Sequence, residues 1–302
     1  MIVSRSRTAA ISGASGYLGG VIRRRLQADG WTTIDLVRTP QSEHSRPFRM
    51  GTPLHSDLLD GVNILVHCAY DMTLHQRSGI WRVNVEGTRQ LLRLARESGV
   101  ERVIVLSSMS AFDGTEQHYG QAKLQIEGYA QAIDAISIRP GLVYGPTAGG
   151  MAGTLARFSR LPVIPLIGSH SYQFTVHEDD FADAVAAIVT AERVSTEPIG
   201  IANPVPVPFR QILEHFAREQ GRRCRFVPID WRLVNNGLKF AERLRVPLPI
   251  RADSLLGLIK PAPFVPNLAI LDSLGIRLRR FGQPIPPKAS VVLDPYSGFI
   301  GT

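Results

Sequence analysis

Three polar side chains near the middle of the chain have types and spacing that suit proton transfer. Tyr119 and Lys123 stand four residues apart, so on a helix they project from one face. A free phenol has a pKa of about 10, and a nearby ammonium lowers that pKa by stabilising the phenolate. Ser108 is suited to hydrogen-bond the same substrate oxygen, with Ser110 as the alternative serine. The set predicts an acid–base site for an alcohol or a carbonyl compound.

A glycine-rich segment near the N-terminus, Gly13-Ala14-Ser15-Gly16-Tyr17-Leu18-Gly19, is typical of a phosphate-binding turn. Gly13 permits the tight turn, Gly16 lets the backbone approach a pyrophosphate, and Gly19 lets helix and strand pack closely. The N–H groups at the start of the following helix add a partial positive charge. Because a predicted strand precedes the segment and a predicted helix follows it, we favour dinucleotide binding over a glycine turn without a ligand.

The elements that must position these groups alternate between short apolar runs and helical patterns, as in a parallel sheet with crossover helices. The predicted strands are Thr8–Ser12, Thr32–Val37, Phe48–Met50, Ile64–Cys68, Val103–Ser107 and Ala135–Arg139. The predicted helices between them are Tyr17–Asp29, Trp81–Ser98 and Tyr119–Ala130. Ser108 then lies at the end of the fifth predicted strand.

Beyond Pro140 the chain is richer in proline and glycine, which indicates loops and short elements. Here we predict a helix over Asp180–Ala191 with Asp179 as its N-cap, a strand over Ile199–Ala202, and helices over Phe209–Glu219, Trp231–Arg243 and Asp253–Leu258. The expected fold is α/β: a doubly wound parallel Rossmann sheet with a smaller, mostly helical C-terminal substrate lobe. Residues 1–145 and 176–203 would form the NAD(P)-binding domain, and 146–175 and 204–302 the substrate lobe.

Taken together, the motifs resemble those of the extended short-chain dehydrogenase/reductase family, which includes NAD-dependent epimerases and dehydratases. The glycine segment has the family's Gly-x-x-Gly-x-x-Gly spacing. The other matching segments, in the family's order, are His67-Cys68-Ala69, Asn84-Val85-Glu86-Gly87-Thr88, Ser107-Ser108, Tyr119-Gly120-Gln121-Ala122-Lys123, Arg139-Pro140-Gly141-Leu142-Val143-Tyr144-Gly145-Pro146 and His177-Glu178-Asp179-Asp180. The resemblance implies a catalytic role for Ser108, Tyr119 and Lys123.

The resemblance also implies which residues bind the cofactor. They are Gly13, Ser15, Gly16, Tyr17, Leu18, Gly19, Arg38, Cys68, Ala69, Tyr70, Asn84, Ser107, Tyr119, Lys123, Pro140 and Val143. Lys123 would hold the nicotinamide ribose, and Asn84 would orient that lysine unless it is an N-cap or an early-helix polar residue. Either Thr52 or Asp57 would lie beside the adenine. Members of the family often dimerise through the helix that bears Tyr119, so the resemblance implies a homodimer.

The end of the second predicted strand indicates NADP rather than NAD. An NAD-specific site usually has an acid there, which accepts hydrogen bonds from the adenosine ribose. Asp35 lies inside the strand, and Val37 occupies the position of the family's acid. Arg38 comes next, as in the family's NADP-dependent reductases, where a guanidinium meets the 2′-phosphate with two parallel hydrogen bonds. We predict NADP, with NAD as the alternative.

Two features depart from the nucleotide-sugar enzymes of the family. Only ten residues separate Ser108 from Tyr119, whereas those enzymes usually have a longer loop. Gln173 stands where they tend to carry an arginine that grips the diphosphate, so a bidentate partner is lost unless Arg245 or Arg251 replaces it. Both departures weaken a nucleotide-sugar interpretation.

Four further residues of the matching segments have packing or structural explanations. We expect His67 to be a packed, satisfied histidine and Cys68 a small core residue that lines the cofactor. His177 is expected to be structural, and Tyr144 to border the substrate pocket. No metal site is predicted.

Composition and charge limit the partners. The net charge of +8 comes from scattered arginines, so we expect no nucleic acid. No apolar run approaches the roughly 18 residues of a membrane span, and no membrane partner is predicted. The residues before Thr8 are too few for a secretory signal. Two cysteines, Cys68 and Cys224, make no disulfide framework, which favours a cytoplasmic location.

The sequence therefore predicts an enzyme that transfers hydride between NADP(H) and a small-molecule carbonyl or alcohol. The first alternative is a nucleotide-sugar epimerase or dehydratase, which returns its hydride within one cycle. The second is a non-catalytic NADP-binding sensor or assembly subunit. The intact set of Ser108, Tyr119 and Lys123 favours an enzyme, because a protein that only binds the cofactor has no chemical need of it.

Overall fold

The structure, a computed structural model, describes residues 7–168, 170–244, 246 and 251–283. The strands in these ranges are β1 (Thr8–Ser12), β2 (Thr32–Val37), β3 (Ser45–Pro47), β4 (Ile64–His67), β5 (Arg102–Leu106), β6 (Ile136–Pro140), β7 (Leu142–Tyr144), β8 (Val163–Ile167), β9 (Tyr172–Gln173), β10 (Thr175–His177), β11 (Ile199–Ile201), β12 (Val207–Pro208) and β13 (Arg225–Ile229). The α-helices are α1 (Tyr17–Ala28), α2 (Arg77–Ile80), α3 (Glu86–Glu97), α4 (His118–Gln131), α5 (Gly150–Phe158), α6 (Glu178–Thr190), α7 (Phe209–Glu219), α8 (Trp231–Arg243), α9 (Ala252–Ile259) and α10 (Ala269–Ser273).

One parallel sheet organises the N-terminal two thirds of the chain, with strand order β11-β6-β5-β4-β1-β2-β3. Strands β1 and β4 are buried along their whole length, because helices cover both faces of the sheet. The strand order reverses between β1 and β4, and such a reversal opens a crevice at the carboxyl ends of the strands. The predicted doubly wound Rossmann sheet is confirmed.

Helices pack on both faces of this sheet and bury its two apolar cores. On one face α1 and α6 contact each other, and Ile22, Leu26 and Phe181 are buried there. On the other face α3 and α4 bury Leu91 and Ile126. Burying a side chain of this size stabilises the fold by about 1.5–3 kcal/mol, so the two layers fix the helices on the sheet.

The third strand lies earlier than the sequence predicts. The prediction placed it at Phe48–Met50, but Ser45–Pro47 forms the ladder with Asp35–Val37. Phe48 follows the ladder, donates its backbone N–H to the carbonyl of Val37, and buries its ring. The apolar residue Phe48 therefore packs in the core after the strand has ended. The prediction of a strand over Phe48–Met50 was wrong.

Two helix starts also differ from the prediction. The helix predicted over Trp81–Ser98 begins at α2, and a π-helical turn, Trp81–Val85, joins α2 to α3. Helix α6 is capped by His177, whose Nδ1 accepts the N–H of Asp179, so Asp179 is not the N-cap. A histidine is an unusual cap, and sequence preferences favour Asp.

The C-terminal elements pack around a separate apolar cluster. Helices α5 and α7 bury Leu155, Ile212 and Phe216 beside β8. The chain returns to the sheet near its end, where Arg279 donates its backbone N–H and its guanidinium to Asp180 on α6. Whether this part is a separate substrate lobe with the predicted boundaries stays a prediction. In the described ranges, no helix combines the length and apolarity that crossing a bilayer requires.

Candidate active site

The turn between β1 and α1 fits a dinucleotide phosphate. Gly13 has a φ of +72°, and a Cβ there would lie 2.9 Å from the backbone N of Ala69. A Cβ at Gly19 would collide with the carbonyl oxygen of Gly13. Gly16 is the N-cap of α1, and no side chain caps the helix. The N–H groups of the first helical turn therefore face the crevice without a capping side chain, as an anion site requires.

A cleft of about 410 Å³ lies at the carboxyl ends of the strands beside this turn. Most of the predicted site residues line it, namely Gly13, Gly16, Tyr17, Leu18, Gly19, Cys68, Tyr70, Ser107, Ser108, Tyr119, Lys123, Pro140 and Val143. The lining does not include Ser15, Arg38, Ala69 and Asn84. Ala69 packs directly against Gly13, and Ser15 is an exposed residue of the turn.

Ser108, Tyr119 and Lys123 converge in the cleft. Ser108 and Tyr119 both line the cleft, and Ser108 is a hydrogen-bonding neighbour that lowers the pKa of Tyr119. The Lys123 Nζ lies 5.8 Å from the centre of the Tyr119 ring and 4.6 Å from that of Tyr70, and it donates to the carbonyl of Leu106 at 2.6 Å. That bond to the end of β5 holds a buried ammonium beneath the phenol. The predicted constellation is therefore assembled in space.

Protonation of the pair differs from the sequence expectation. Desolvation raises the pKa of Tyr119 to about 12, the hydrogen bond with Ser108 opposes the rise, and the charge of Asp253 adds to it. Desolvation also lowers the pKa of Lys123 to about 8, opposed by Cys68 and Glu127. We expected the lysine to lower the tyrosine pKa, but burial dominates and raises it. Tyr119 is thus a neutral phenol at neutral pH.

Asp253 is a site residue that sequence reasoning missed. Its carboxylate accepts the backbone N–H groups of His118 at 2.9 Å and Tyr119 at 3.1 Å, and so caps α4 from α9. The carboxylate also lines the cleft beside Tyr119. No local pattern could reveal this role, because 134 residues separate Asp253 from Tyr119.

Asn84 holds the loop after β4. Its side chain is fully buried in the π-helical turn, where Oδ1 accepts the N–H of Asp71 at 2.6 Å and Nδ2 donates to the Asp71 carbonyl at 3.2 Å. Because the helix begins at α2, Asn84 is not an N-cap. Its contacts fix the backbone that follows Tyr70 on the cleft wall.

Ser107 is committed to a buried ionic network behind the cleft. It donates to Glu127 at 2.5 Å, and Arg139 donates to both carboxylate oxygens of Glu127. A bidentate arginine of this kind fixes geometry strongly. Ser107 therefore borders the cleft while its hydroxyl ties β5 to α4.

His67 and Cys68 agree with their predicted packing roles. The Ser12 hydroxyl accepts the N–H groups of Cys68 and Ala69, so its own hydrogen is left for Nδ1 of His67 at 2.6 Å. Nε2 of His67 then donates to Thr88 at 2.9 Å. Burial lowers the pKa of His67 to about 3 and raises that of Cys68 to about 12, so both are uncharged.

The Tyr17 side chain closes one wall of the cleft. Its hydroxyl donates to Glu178 at 2.7 Å, and Thr147 donates to the same carboxylate through both its N–H and its hydroxyl. Burial, followed by that hydrogen bond, raises the pKa of Tyr17. The phenol thus joins the turn after β7 to the phosphate loop.

Two charged residues of β2 and its end bear on the choice of cofactor. Asp35 forms an ion pair with Arg23 on α1 at 2.6 Å, so its carboxylate already has a cationic partner. Arg38 is exposed just after the strand. The pKa of Asp71 is lowered although burial opposes the shift, because Thr73 hydrogen-bonds it and the charges of Arg38 and Arg251 act on it. Arg38 therefore lies near the loop that borders the cleft.

Three residues have surroundings that bear on the substrate. Tyr144 lines a different cavity, of about 830 Å³, because its ring packs edge-on against His177 and Phe281. That Tyr144 borders the substrate pocket stays a prediction. Gln173 lines the cleft and donates to the carbonyl of Leu258 at 3.1 Å. Arg251 also lines the cleft, whereas Arg245 lies outside the described residues.

The two adenine candidates both lie outside the cleft lining. Thr52 hydrogen-bonds the carbonyl of Arg49 in a turn that packs on Val83 through Gly51. The carbonyl of Asp57 accepts from Arg46, and its side chain is exposed. The choice between Thr52 and Asp57 stays open.

Comparisons with known proteins agree with this geometry. A model of the NAD dependent epimerase/dehydratase family matches residues 9–202. Ceramide reductase of Caulobacter vibrioides is 32% identical over 189 residues, or 59% of each chain. Human sterol-4-alpha-carboxylate 3-dehydrogenase, decarboxylating, is 26% identical over 68% of this chain and 65% of that protein. The structure of MoeE5 in complex with UDP-glucuronic acid and NAD has a TM-score of 0.65 at 20% identity, over 74% of this chain and 85% of that one.

The matches differ in sequence identity and in the share of each protein that they cover. The match to MoeE5, at 20% identity, shows a shared fold. The matched region spans less than two thirds of the length of either curated relative, at 59% and 65%. The family match reaches the end of β11 and includes the glycine turn and the three converging side chains.

Proposed function

This chain belongs to the NAD dependent epimerase/dehydratase family, a family of enzymes, and we propose that it reduces a carbonyl group with NADPH. The observation that carries the proposal is the convergence of Ser108, Tyr119 and Lys123 on one cleft, with the Lys123 Nζ 5.8 Å from the centre of the Tyr119 ring. Reduction of a carbonyl requires a proton donor at the oxygen, and the Tyr119 phenol carries its proton at neutral pH.

The three side chains have separate tasks in this proposal. Ser108 orients the substrate oxygen, and Tyr119 donates its proton to that oxygen. The Lys123 ammonium, held by the Leu106 carbonyl, stabilises the phenolate left behind. NADPH, when bound, supplies the hydride. Ser108 and Tyr119 lie beside each other in the cleft, so both side chains can reach the same substrate oxygen.

The backbone of the β1–α1 turn and the charge of Arg38 support NADP as the cofactor. The uncapped N-terminus of α1 suits the pyrophosphate, and the glycines leave room for it. Arg38 is free at the surface to meet a 2′-phosphate, while Asp35, the acid of β2, is paired with Arg23. Lys123 and Ser107 border the inner end of the cleft, where the nicotinamide would lie.

The walls of the cleft support a substrate with a substantial apolar part. Beyond the reacting groups the lining contains Met72, Leu74, Met151 and Leu258. Gln173, the replacement for a diphosphate-gripping arginine, is used to bind the α9 backbone. The names of the bacterial relative, a ceramide reductase, and the human relative, a sterol dehydrogenase, point to lipid substrates of those proteins. We therefore place the carbonyl on a lipid-like molecule rather than on a nucleotide sugar.

The first experiment follows NADPH oxidation with an aliphatic ketone and with a polar hydroxyketone. We expect Tyr119→Phe to lower kcat by about 10²–10⁴-fold, because general acid catalysis contributes that much, while NADPH affinity changes little. Tyr129→Phe, on the same helix outside the cleft, is the matched control. Full activity in Tyr119→Phe would contradict the proposal that Tyr119 is the general acid. Tightly bound NAD in the purified protein would instead favour an epimerase.

Calorimetric titration with NADPH and NADH tests the cofactor. Arg38→Ala should weaken NADPH binding by tenfold or more and leave NADH binding nearly unchanged, since only NADPH carries the 2′-phosphate. Arg93→Ala, an arginine on the outer face of α3, controls for net charge. Equal losses for both nucleotides in Arg38→Ala would contradict the NADP assignment, and binding of neither by the folded wild type would contradict the whole proposal.

A further inference from the structure

Helix α8 exposes large apolar side chains along one face. Leu233, Phe240 and the C-cap Leu244 are 70%, 63% and 61% exposed. With Gly237 they follow a spacing of four, three and four residues, so they lie on one side of the helix. We call these four residues the apolar face of α8. A contiguous exposed patch of this kind marks a contact surface in a protein that is otherwise packed normally.

Positive charges run beside this face. Arg232, Lys239 and Arg243 are exposed and each adjoins a member of the apolar face in sequence. Glu242, the acidic residue of α8, is half-buried and accepts the N–H of Ala252, so it does not offset them. Trp231 opens the helix, with the Arg232 guanidinium 5.5 Å from its ring centre. The exposed side of α8 is therefore apolar and cationic.

Apolar side chains are also exposed on the β8–β13 pair. Val227 and Ile229 are 47% and 37% exposed and pair with Pro165 and Ile167 in parallel register. Paired residues point to the same face of a sheet. Pro165 and Ile167 line an apolar cavity of about 330 Å³, whose other walls are Phe158, Ile164, Phe209, Leu213, Val234, Leu238, Leu255 and Leu258. Helix α8 and strand β8 thus border one apolar cavity, and β13 pairs with β8 beside it.

We propose that α8 and the exposed side of β13 form a peripheral contact with an anionic lipid bilayer. An amphipathic helix with large apolar side chains on one side and Lys and Arg beside them lies in the plane of the membrane interface. The exposed cations complement acidic headgroups, and the net charge of +8 has the same sign. Such a contact needs no helix that crosses the bilayer, so it is a different kind of membrane contact from a spanning segment. It would bring a lipid substrate to the enzyme.

Sedimentation with lipid vesicles tests the contact without any enzymatic assay. Full-length protein should bind vesicles of phosphatidylcholine with phosphatidylglycerol, release as salt rises, and bind phosphatidylcholine alone at least tenfold more weakly. Leu233→Gln/Phe240→Gln and Lys239→Gln/Arg243→Gln should each weaken binding to the anionic vesicles by tenfold or more. Phe264→Gln is the control, since Phe264 is 66% exposed and lies outside α8 and the two strands.

The substituted residues lie outside the cleft lining, so the circular dichroism and NADPH affinity of the variants should match the wild type, whether or not the proposed reduction is correct. Failure of the wild type to bind anionic vesicles would overturn the proposal. Equal binding by the wild type and Leu233→Gln/Phe240→Gln would overturn it as well. A wild-type dimer in sedimentation equilibrium that Phe240→Gln dissociates, without vesicle binding, would assign the face to a second copy of this chain instead.

Discussion

At the residue scale, burial decides which groups carry charge around the cleft. Tyr119 is a neutral phenol because desolvation and Asp253 hold its pKa near 12. Lys123 is an ammonium at neutral pH, but its pKa of about 8 means that the charge is lost in moderately alkaline solution. Reduction by the proposed mechanism therefore needs both groups protonated, and its rate should decline above pH 8.

His67 supplies a prediction about stability and pH. Burial depresses its pKa from 6.5 to about 3, so between these values the unfolded chain binds a proton that the folded chain does not. Stability is fully present above pH 6.5 and is lost as pH falls. At pH 5 the loss from this residue should be about 2 kcal/mol, at 1.36 kcal/mol per pH unit.

Urea unfolding at pH 7 and pH 5 measures this effect. The variant His67→Gln keeps a polar side chain but does not titrate, so its stability should fall less between the two pH values than that of the wild type. The exposed His44 offers a control, because His44→Gln should leave the pH dependence unchanged. Parallel pH dependence in His67→Gln and wild type would show that His67 is not the buried titrating group.

At the element scale, close approach of backbones shapes the cofactor cleft. The π-helical turn between α2 and α3 carries Asn84 inward to the Asp71 backbone. Gly87, on the next turn, leaves no space for a side chain, since a Cβ there would lie 2.7 Å from the backbone N of Gly51. Helix α1 meets the phosphate turn in the same manner at Gly19. Glycine is needed at these positions for contact rather than for flexibility.

Two adjacent glycines of α1 give a matched test. Gly19→Ala should lower stability by about 1–3 kcal/mol and weaken NADPH binding, because the new methyl group would push the Gly13 carbonyl out of the turn. In Gly20→Ala the Cβ would lie 3.4 Å from the Ala14 carbonyl oxygen, an ordinary contact, and helix propensity should offset any cost. Thermal unfolding and NADPH titration compare them. Equal effects of the two substitutions would contradict the close-packing explanation.

At the scale of the whole molecule, the C-terminal part completes the site. Asp253 on α9 caps α4 at Tyr119, and Leu258 on the same helix lines both the cleft and the apolar cavity beside α8. The chain is then fastened back to α6 by Arg279 and Asp180. Movement of α9 would therefore change the cap, the phenol and the cleft wall together.

Asp253→Asn separates the charge of this residue from its capping role. Asparagine caps helices about as well as aspartate, so the fold should be retained. Loss of the negative charge should lower the pKa of Tyr119 from about 12, which an ultraviolet titration of phenolate absorbance measures, with Tyr119→Phe identifying the contribution of this residue. Asp230→Asn, at the cap of α8, removes a charge outside the cleft and should leave the titration unchanged. An unchanged Tyr119 titration in Asp253→Asn would limit the residue to a structural role.

The sequence by itself determined the parts of this protein that depend on local pattern. The glycine turn after β1, the spacing of Tyr119 and Lys123 on α4, and the alternation of apolar strands with amphipathic helices each follow from neighbouring residues. The sheet and the cleft-lining set could therefore be predicted. The predicted position of the third strand was wrong because Phe48 packs its ring in the core and lies outside the strand pairing.

Only the tertiary structure decided what arises from distant segments meeting. Asp253 reaches Tyr119 across 134 residues, and the Tyr119 pKa rises because burial, which no spacing reveals, dominates its environment. Tyr144 faces a second cavity because of the ring of Phe281, far along the chain. The apolar face of α8 is exposed among the described residues, and a sequence pattern alone cannot distinguish an exposed face from a buried one.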